Sequence, residues 1–202
     1  MGKNGDLTEL RLKLDEAITY GTKKGAAKLA RKGLREAKSE KLPGEIEYFK
    51  GQVELLQENF TTAIEHFDAA IKYNPNDGAA YNDRALCMVE LGIIDKAFFY
   101  FDMGIKVEPD YATVYHNKGW LFNNLGRHTE AIGCFKKALE LEPNRAVTYD
   151  NLADAFLNLC DYEEALESYR KVMKLLKPGS CRSIRKQIQE KINSLQNKQG
   201  CL

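Results

Sequence analysis

The stretch Ala112–Arg145, ATVYHNKGWLFNNLGRHTEAIGCFKKALELEPNR, contains two short amphipathic segments. Apolar or small side chains recur three or four residues apart in each segment, which places them on one face of a helix. They are Tyr115, Gly119, Phe122 and Leu125 in the first segment and Ala131, Phe135, Ala138 and Leu139 in the second. Gly126 can adopt the left-handed backbone that ends a helix, and Pro143 cannot continue the helix before it. The stretch therefore predicts a helix hairpin.

The marker residues of this hairpin recur along the chain at one constant spacing. This spacing equals the distance in sequence from Pro109 to Pro143, and we call it the repeat period. The recurring residues are Pro75, Pro109 and Pro143, Ala63, Ala97 and Ala131, and Phe67, Phe101 and Phe135. A fourth copy begins at Ala146, and its proline, Pro178, comes one residue late. Because a single hairpin cannot bury both of its apolar faces, the series predicts a stack in which each hairpin covers the next.

These markers, together with a small residue in each first helix (Gly51, Ala85 and Gly119), resemble the tetratricopeptide repeat family. The resemblance implies an all-α fold, a right-handed α-solenoid of stacked antiparallel helix hairpins with helical caps at both ends. It places four repeats at 44–77, 78–111, 112–145 and 146–179. An N-terminal basic hairpin at 1–43 and a C-terminal capping helix and tail at 180–202 complete the predicted organisation.

The N-terminal segment from Leu7 to Lys41 predicts two further helices. Their apolar faces carry Leu10, Leu14, Ala17 and Ile18, and then Ala26, Leu29, Ala30, Leu34 and Ala37. The exposed side of the second helix carries Lys28, Arg31, Lys32, Arg35 and Lys38. We interpret the pair as a cap or a degenerate repeat, because the ends of a solenoid need a polar outer surface. The alternative is peripheral contact with an acidic membrane surface. No aromatic residue stands among these cations to stack on bases, so no nucleic acid is expected.

The C-terminal segment predicts one amphipathic helix, with Ser180 as its N-cap and its end near Gln196. Its apolar stripe consists of Ile184, Ile188, Ile192 and Leu195. We interpret this helix as the cover of the last repeat. The alternative is a detachable segment that binds a partner helix or dimerises.

Charge is distributed unevenly along the chain although the net charge is only +1. Residues 1–43 carry 11 Lys and Arg against 6 Asp and Glu, residues 44–176 carry 13 against 22, and residues 177–202 carry 6 against 1. An acidic middle between basic ends is typical of a cationic partner, of docking of the ends on the middle of another copy, or of solvated helix faces that bind nothing, and charge alone does not decide between them.

Several classes of function and location find no support in the sequence. His66, His116 and His128 have no metal-ligand spacing, and there is no glycine-rich phosphate loop or nucleophile motif. We therefore expect no enzyme activity, no cofactor and no metal. Five scattered cysteines and the lack of a signal peptide or membrane span favour the cytoplasm.

The resemblance implies that the first helices line a concave groove. From the places in each repeat that share this surface, we predict eleven partner-binding residues: Tyr48, Gln52, Asn82, Asp83, His116, Asn117, Trp120, Asn124, Asn151, Asp154 and Asn158. Asparagine amides both donate and accept, so they can bind the main chain of an extended peptide. Trp120 would be the apolar anchor, and Asp83, Asp150 and Asp154 would favour a basic residue on the partner.

The sequence thus predicts a non-enzymatic protein–protein interaction module or adaptor that binds an extended or helical segment of a partner protein. The alternative is a self-assembling scaffold in which basic ends dock on the acidic repeat surface. Family members that bind chaperone tails use basic residues in the groove, and none stands at the corresponding positions here. Such a carboxylate clamp is therefore not expected.

Overall fold

A computed structural model describes residues 4–176 and 182–199, and all regular secondary structure in these two ranges is helical. The predicted all-α fold is confirmed. The helices are α1 (Asn4–Tyr20), α2 (Lys23–Glu40), α3 (Pro43–Leu56), α4 (Phe60–Tyr73), α5 (Gly78–Glu90), α6 (Ile94–Val107), α7 (Ala112–Asn124), α8 (His128–Leu141), α9 (Ala146–Asn158), α10 (Tyr162–Leu175) and α11 (Arg182–Gln199).

The chain divides into two compact units, Met1–Pro109 and Asp110–Leu202. The first unit contains α1–α6, paired as the hairpins α1–α2, α3–α4 and α5–α6, and each hairpin packs on the next. The second unit contains the hairpins α7–α8 and α9–α10, followed by α11, which packs on α10. Each unit is thus a stack of helix hairpins, the architecture of an α-solenoid.

The marker residues hold each hairpin together. The second helices bury their alanine and aromatic side chains fully, as at Ala131 and Phe135 in α8. A Cβ atom added at Gly119 in α7 would lie 2.9 Å from the Phe135 ring, so glycine is what lets the two helices approach. Gly51 and Phe67 form the same contact in the α3–α4 hairpin.

The turn inside each hairpin from α3–α4 to α9–α10 uses one left-handed residue. Gly92 and Gly126 have φ values of 73° and 75°, as expected for glycine. The equivalent residues Glu58 and Cys160 adopt φ values of 67° and 60°. The helices before Pro75, Pro109 and Pro143 end two residues ahead of the proline, at Tyr73, Val107 and Leu141. Pro178 lies outside the described residues.

The N-terminal hairpin is helical as predicted, but its apolar contacts differ from those of the repeats. Gly33 stands one repeat period before Phe67, and the space of the missing aromatic ring is filled by Phe49 of α3, which is fully buried. A Cβ atom at Gly33 would lie 2.2 Å from that ring. Leu10 and Leu14 are buried, whereas Ile18 is 46% exposed and is not part of the predicted apolar face.

The C-terminal helix covers α10 with Ile188, Ile192 and Leu195, which are all buried. Ile184 is 37% exposed, so the buried stripe begins one turn later than predicted. The Arg185 guanidinium donates to the carbonyl oxygens of Met173 and Leu176, at 3.1 and 2.7 Å, and satisfies acceptors at the end of α10. The predicted N-cap Ser180 lies outside the described residues.

Candidate functional site

The eleven predicted partner-binding residues lie on α3 and α5 in the first unit and on α7 and α9 in the second. Five of them are buried: Tyr48, Gln52, Asn82, Asp83 and His116. The expectation that these five are exposed in a groove is wrong, because each contacts polar groups of its own unit. Asn117, Trp120, Asn151 and Asp154 are half-buried, and Asn124 and Asn158 are exposed.

In the first unit, the Arg11 side chain of α1 lies against the polar face of α3. Its guanidinium bonds both carboxylate oxygens of Glu45 at 3.0 Å and those of Asp77 at 3.0 and 2.9 Å. The same group lies over the Tyr48 ring, 3.5 Å from its centroid. One cation therefore links α1, α3 and the N-cap of α5.

Asp83 is the centre of a buried polar cluster next to this contact. The Asn82 amide donates to one carboxylate oxygen at 2.9 Å, and the Tyr48 hydroxyl donates to the other at 3.1 Å. The Gln52 amide also donates to Asp83. Burial raises the pKa of the Asp83 carboxyl to about 7, although the bonds from Asn82 and Tyr48 favour its charged form. The cluster joins α3 to α5, and all of its side chains are buried, so none is accessible to a partner.

His116 has the corresponding role in the second unit. Its Nδ1 lies 2.9 Å from the Thr148 hydroxyl of α9, and its Nε2 lies 3.5 Å from the Asn151 amide nitrogen. Burial, with the charge of Arg145 nearby, lowers the pKa of His116 to about 3. The ring is therefore neutral at physiological pH, and it joins α7 to α9.

The Lys191 side chain of α11 forms ion pairs with two aspartates of α9. Its ammonium lies 3.2 Å from Asp150 and 2.9 Å from Asp154, and 5.0 Å from the centroid of the Tyr169 ring. The Tyr169 hydroxyl also donates to Asp154. Asp150 and Asp154, two of the three aspartates expected to attract a basic partner residue, thus already hold one from the same chain.

Apart from Asp154, the predicted residues of the second unit that are exposed or half-buried form a surface that we call the amide face. It consists of Asn117, Trp120 and Asn124 on α7 and Asn151 and Asn158 on α9. Asn117 and Asn151 occupy the same place one repeat apart, and so do Asn124 and Asn158. Four amides and one half-buried indole can bind a polar main chain and one apolar side chain.

In the described parts of the chain, no group of three or more His, Cys, Asp or Glu side chains could hold a metal ion. Two of the histidines have local partners: His66 lies 2.7 Å from Glu47, and His128 lies 2.7 Å from Asn123. No helix over the described residues is long and apolar enough to cross a bilayer. The cytoplasmic location stays a prediction.

Comparison with known families gives the same assignment as the repeated hairpins. Two family models, both described as tetratricopeptide repeat, match residues 48–103 and 110–177. The chain belongs to the tetratricopeptide repeat family. Its repeats are of a class that serves protein–protein interaction and scaffolding. The exact repeat boundaries stay a prediction. A search of curated proteins found no match.

Solved structures share the tetratricopeptide fold at low sequence identity. A thermophilic TPR protein of Thermus thermophilus is 20% identical, with a TM-score of 0.70 over 94% of this chain and 98% of that chain. A crystal structure of MamA is 18% identical, with a TM-score of 0.60 over 80% of this chain and 93% of that one. A MamA fragment from Desulfovibrio magneticus RS-1 is 20% identical, with a TM-score of 0.57 over 84% and 94%. At these identities the likeness shows the fold alone.

Sequence reasoning missed Arg11 and Lys191, which hold the terminal helices to the repeats. A signal for Arg11 was present, because it stands one repeat period before Glu45 and so continues the periodicity into α1. Lys191 had no such signal, since its contacts depend on how α11 lies against α9 and α10.

Proposed function

We propose that this tetratricopeptide repeat protein is a non-enzymatic adaptor that binds an extended segment of a partner protein on the amide face. The observation that carries the proposal is the pair of exposed amides, Asn124 and Asn158, in the same place on neighbouring first helices. Together with Asn117 and Asn151 they offer donors and acceptors to a peptide main chain at two levels along α7 and α9.

Trp120 supplies the apolar part of this surface. It lies between Asn117 and Asn124 on α7 and is half-buried, so its ring has area available for a partner side chain. Large aromatic residues of this kind contribute most to binding at protein interfaces. A basic partner residue would have to compete with Lys191 for Asp154, so the expected preference for Lys or Arg remains part of the proposal.

Peptide selection from a random library on the full chain tests this function. We expect Trp120→Ala to weaken the binding of the selected peptides at least tenfold, which is about the effect of losing an interface hot spot. Joint replacement of Asn124 and Asn158 by Ala should weaken the binding of these peptides by about the same factor. Tyr73→Ala is the matched control, since Tyr73 is an aromatic residue that is 61% exposed outside the amide face.

The outcome that contradicts the proposal is equal binding of the selected peptides to the wild type, the Trp120 variant and the double asparagine variant. Enrichment of Lys and Arg among the peptides would support the basic preference. Its absence would remove that preference and leave the amide face as the proposed site.

A further inference from the structure

The exposed face of α2 carries a continuous row of five cations, which we call the basic row. Its residues follow each other at steps of three or four and are all exposed: Lys24, Lys28, Arg31, Arg35 and Lys38. The row runs over about 21 Å of the helix, at 1.5 Å per residue. The opposite face of α2 is buried through Ala26, Ala30, Gly33 and Ala37. The cations are therefore held on one side of a packed helix.

No member of the basic row forms an ion pair within the described residues. Its neighbours do: Lys23 lies 2.5 Å from Glu58, and Lys32 lies 3.4 Å from Glu36. The other second helices of the first unit have mixed outer faces, with exposed Glu65 and Lys72 on α4 and exposed Asp95 and Lys96 on α6. Within this unit the basic row is thus peculiar to the N-terminal hairpin, and its charge is not neutralised there.

The tip of the same hairpin exposes apolar side chains. Ile18 and Tyr20, both 46% exposed, stand in the last turn of α1 and are joined to Lys23 and Lys24 by a two-residue link. A tyrosine, an aliphatic residue and lysines in one place suit the boundary between lipid headgroups and acyl chains.

We propose that the basic row, with Ile18 and Tyr20 at the hairpin tip, is a docking surface for an anionic lipid bilayer. A straight row of cations on a helix complements a flat anionic surface. Each lysine or arginine near such a surface contributes about a fivefold gain in binding. The row contains no aromatic residue that could stack on bases, which disfavours single-stranded nucleic acid. This surface lies on α1 and α2 and shares no residue with the amide face.

Vesicle flotation with the full chain tests the proposal. We expect binding to phosphatidylcholine vesicles that contain phosphatidylserine, no binding to phosphatidylcholine alone, and release by salt, because screening weakens exposed charge interactions. The variant Lys28→Ser, Arg31→Ser and Arg35→Ser should bind about a hundredfold more weakly, as three contributions of about fivefold are lost.

The matched control removes three exposed lysines of α4 and α6, with the changes Lys72→Ser, Lys96→Ser and Lys106→Ser. This control has the same net charge as the row variant. Its binding to the vesicles should weaken by no more than about threefold, because these lysines lie away from the basic row. Circular dichroism should show equal helix content in all three proteins.

Three outcomes would overturn the proposal. One is that the wild type does not bind phosphatidylserine vesicles. Another is that the row variant and the control lose binding equally, which would show a response to net charge alone. The third is that a double-stranded oligonucleotide or polyglutamate binds the basic row more tightly than the vesicles and displaces them. The row would then be a site for another class of macromolecule.

Discussion

Arg11 shows how one side chain can attach a terminal helix to the repeats. Its side chain is 18% exposed, and its guanidinium faces Glu45 and the buried Asp77, whose side chain is 6% exposed. Removing the cation would leave carboxylates in a partly buried place without their counter-charge. The loss of such a partner is strongly destabilising.

We therefore expect Arg11→Ala to lower the free energy of unfolding by about 2–4 kcal/mol, measured by urea denaturation. Lys13→Ala is the control, since the Lys13–Glu9 pair is exposed and screened by solvent and should have a much smaller effect. Equal effects of the two changes would show that the Arg11 contacts do not hold α1 in place.

Asp83 should make stability fall as pH rises towards neutrality. Its folded-state pKa of about 7 lies above the ordinary carboxyl value near 3.9, so between these values the folded state binds more protons than the unfolded one. Asp15 and Asp77 nearby add to the penalty on the charged form. The stability that the protonated carboxyl provides is fully present below about pH 3.9 and is lost as pH rises through about 7.

Asp83→Asn removes this titration. The unfolding free energy of the variant minus that of the wild type should therefore increase by roughly 2–3 kcal/mol as pH rises from about 5 to about 8. His116 has the opposite effect, since its pKa of about 3 lies below the ordinary value and its stabilisation is lost as pH falls. Because both proteins contain His116, its contribution cancels in the difference. A difference that does not change with pH would contradict a raised pKa.

The burial of Asp83 and His116 could not be predicted from the repeat pattern. The repeat period shows which positions share a helix face, and it placed Asn82, Asp83 and His116 on the inner side of their helices. Whether such a side chain meets solvent depends on the residue opposite it on the neighbouring first helix. Tyr48 and Gln52 reach Asp83, and Thr148 reaches His116. These contacts depend on side-chain lengths at specific pairs of positions.

At the scale of the helix, the close approach of α7 and α8 sets a steric limit that can be measured within one hairpin. A Cβ atom at Gly119 would lie 2.9 Å from the Phe135 ring, whereas one at Gly133 on α8 would have nothing within 4 Å. Gly119→Ala should therefore destabilise by about 1–3 kcal/mol through overpacking.

Gly133→Ala should stabilise by about 0.5–1 kcal/mol, because alanine favours the helix and meets no obstacle. Thermal unfolding of the two single variants checks both signs. If both changes stabilise the protein, the hairpin tolerates a wider separation and Gly119 is not required for packing.

The hairpins were predictable from sequence because each pairs a small residue on the first helix with an aromatic residue on the second. The N-terminal hairpin reverses part of this arrangement. Gly33 on α2 takes the place of the aromatic residue, and Phe49 of the following hairpin fills the volume. The usual markers therefore left α1–α2 as either a cap or a degenerate repeat, although its two helices pack on each other and on α3.

For the whole molecule, the main rival to peptide binding is self-assembly through basic ends on the acidic repeat surface. Arg11 and Lys191 show that basic residues of both terminal helices do pair with acidic residues of the repeats, but within the same chain. The carboxylates of Asp77 and Asp154 are thus already compensated. This pairing lowers the attraction available between copies.

We therefore expect light scattering behind a sizing column to give the monomer mass over a wide range of protein concentration, in low and in high salt. A mass that grows with concentration and falls with salt would contradict this expectation and support the scaffold, since screening weakens contacts between exposed charges. In that case the decisive variant is Arg31→Glu with Arg35→Glu, which reverses charge on α2 and leaves Arg11 and Lys191 in place. Loss of the large species in this variant would assign the contact to α2, whereas their persistence would assign it to other parts of the chain.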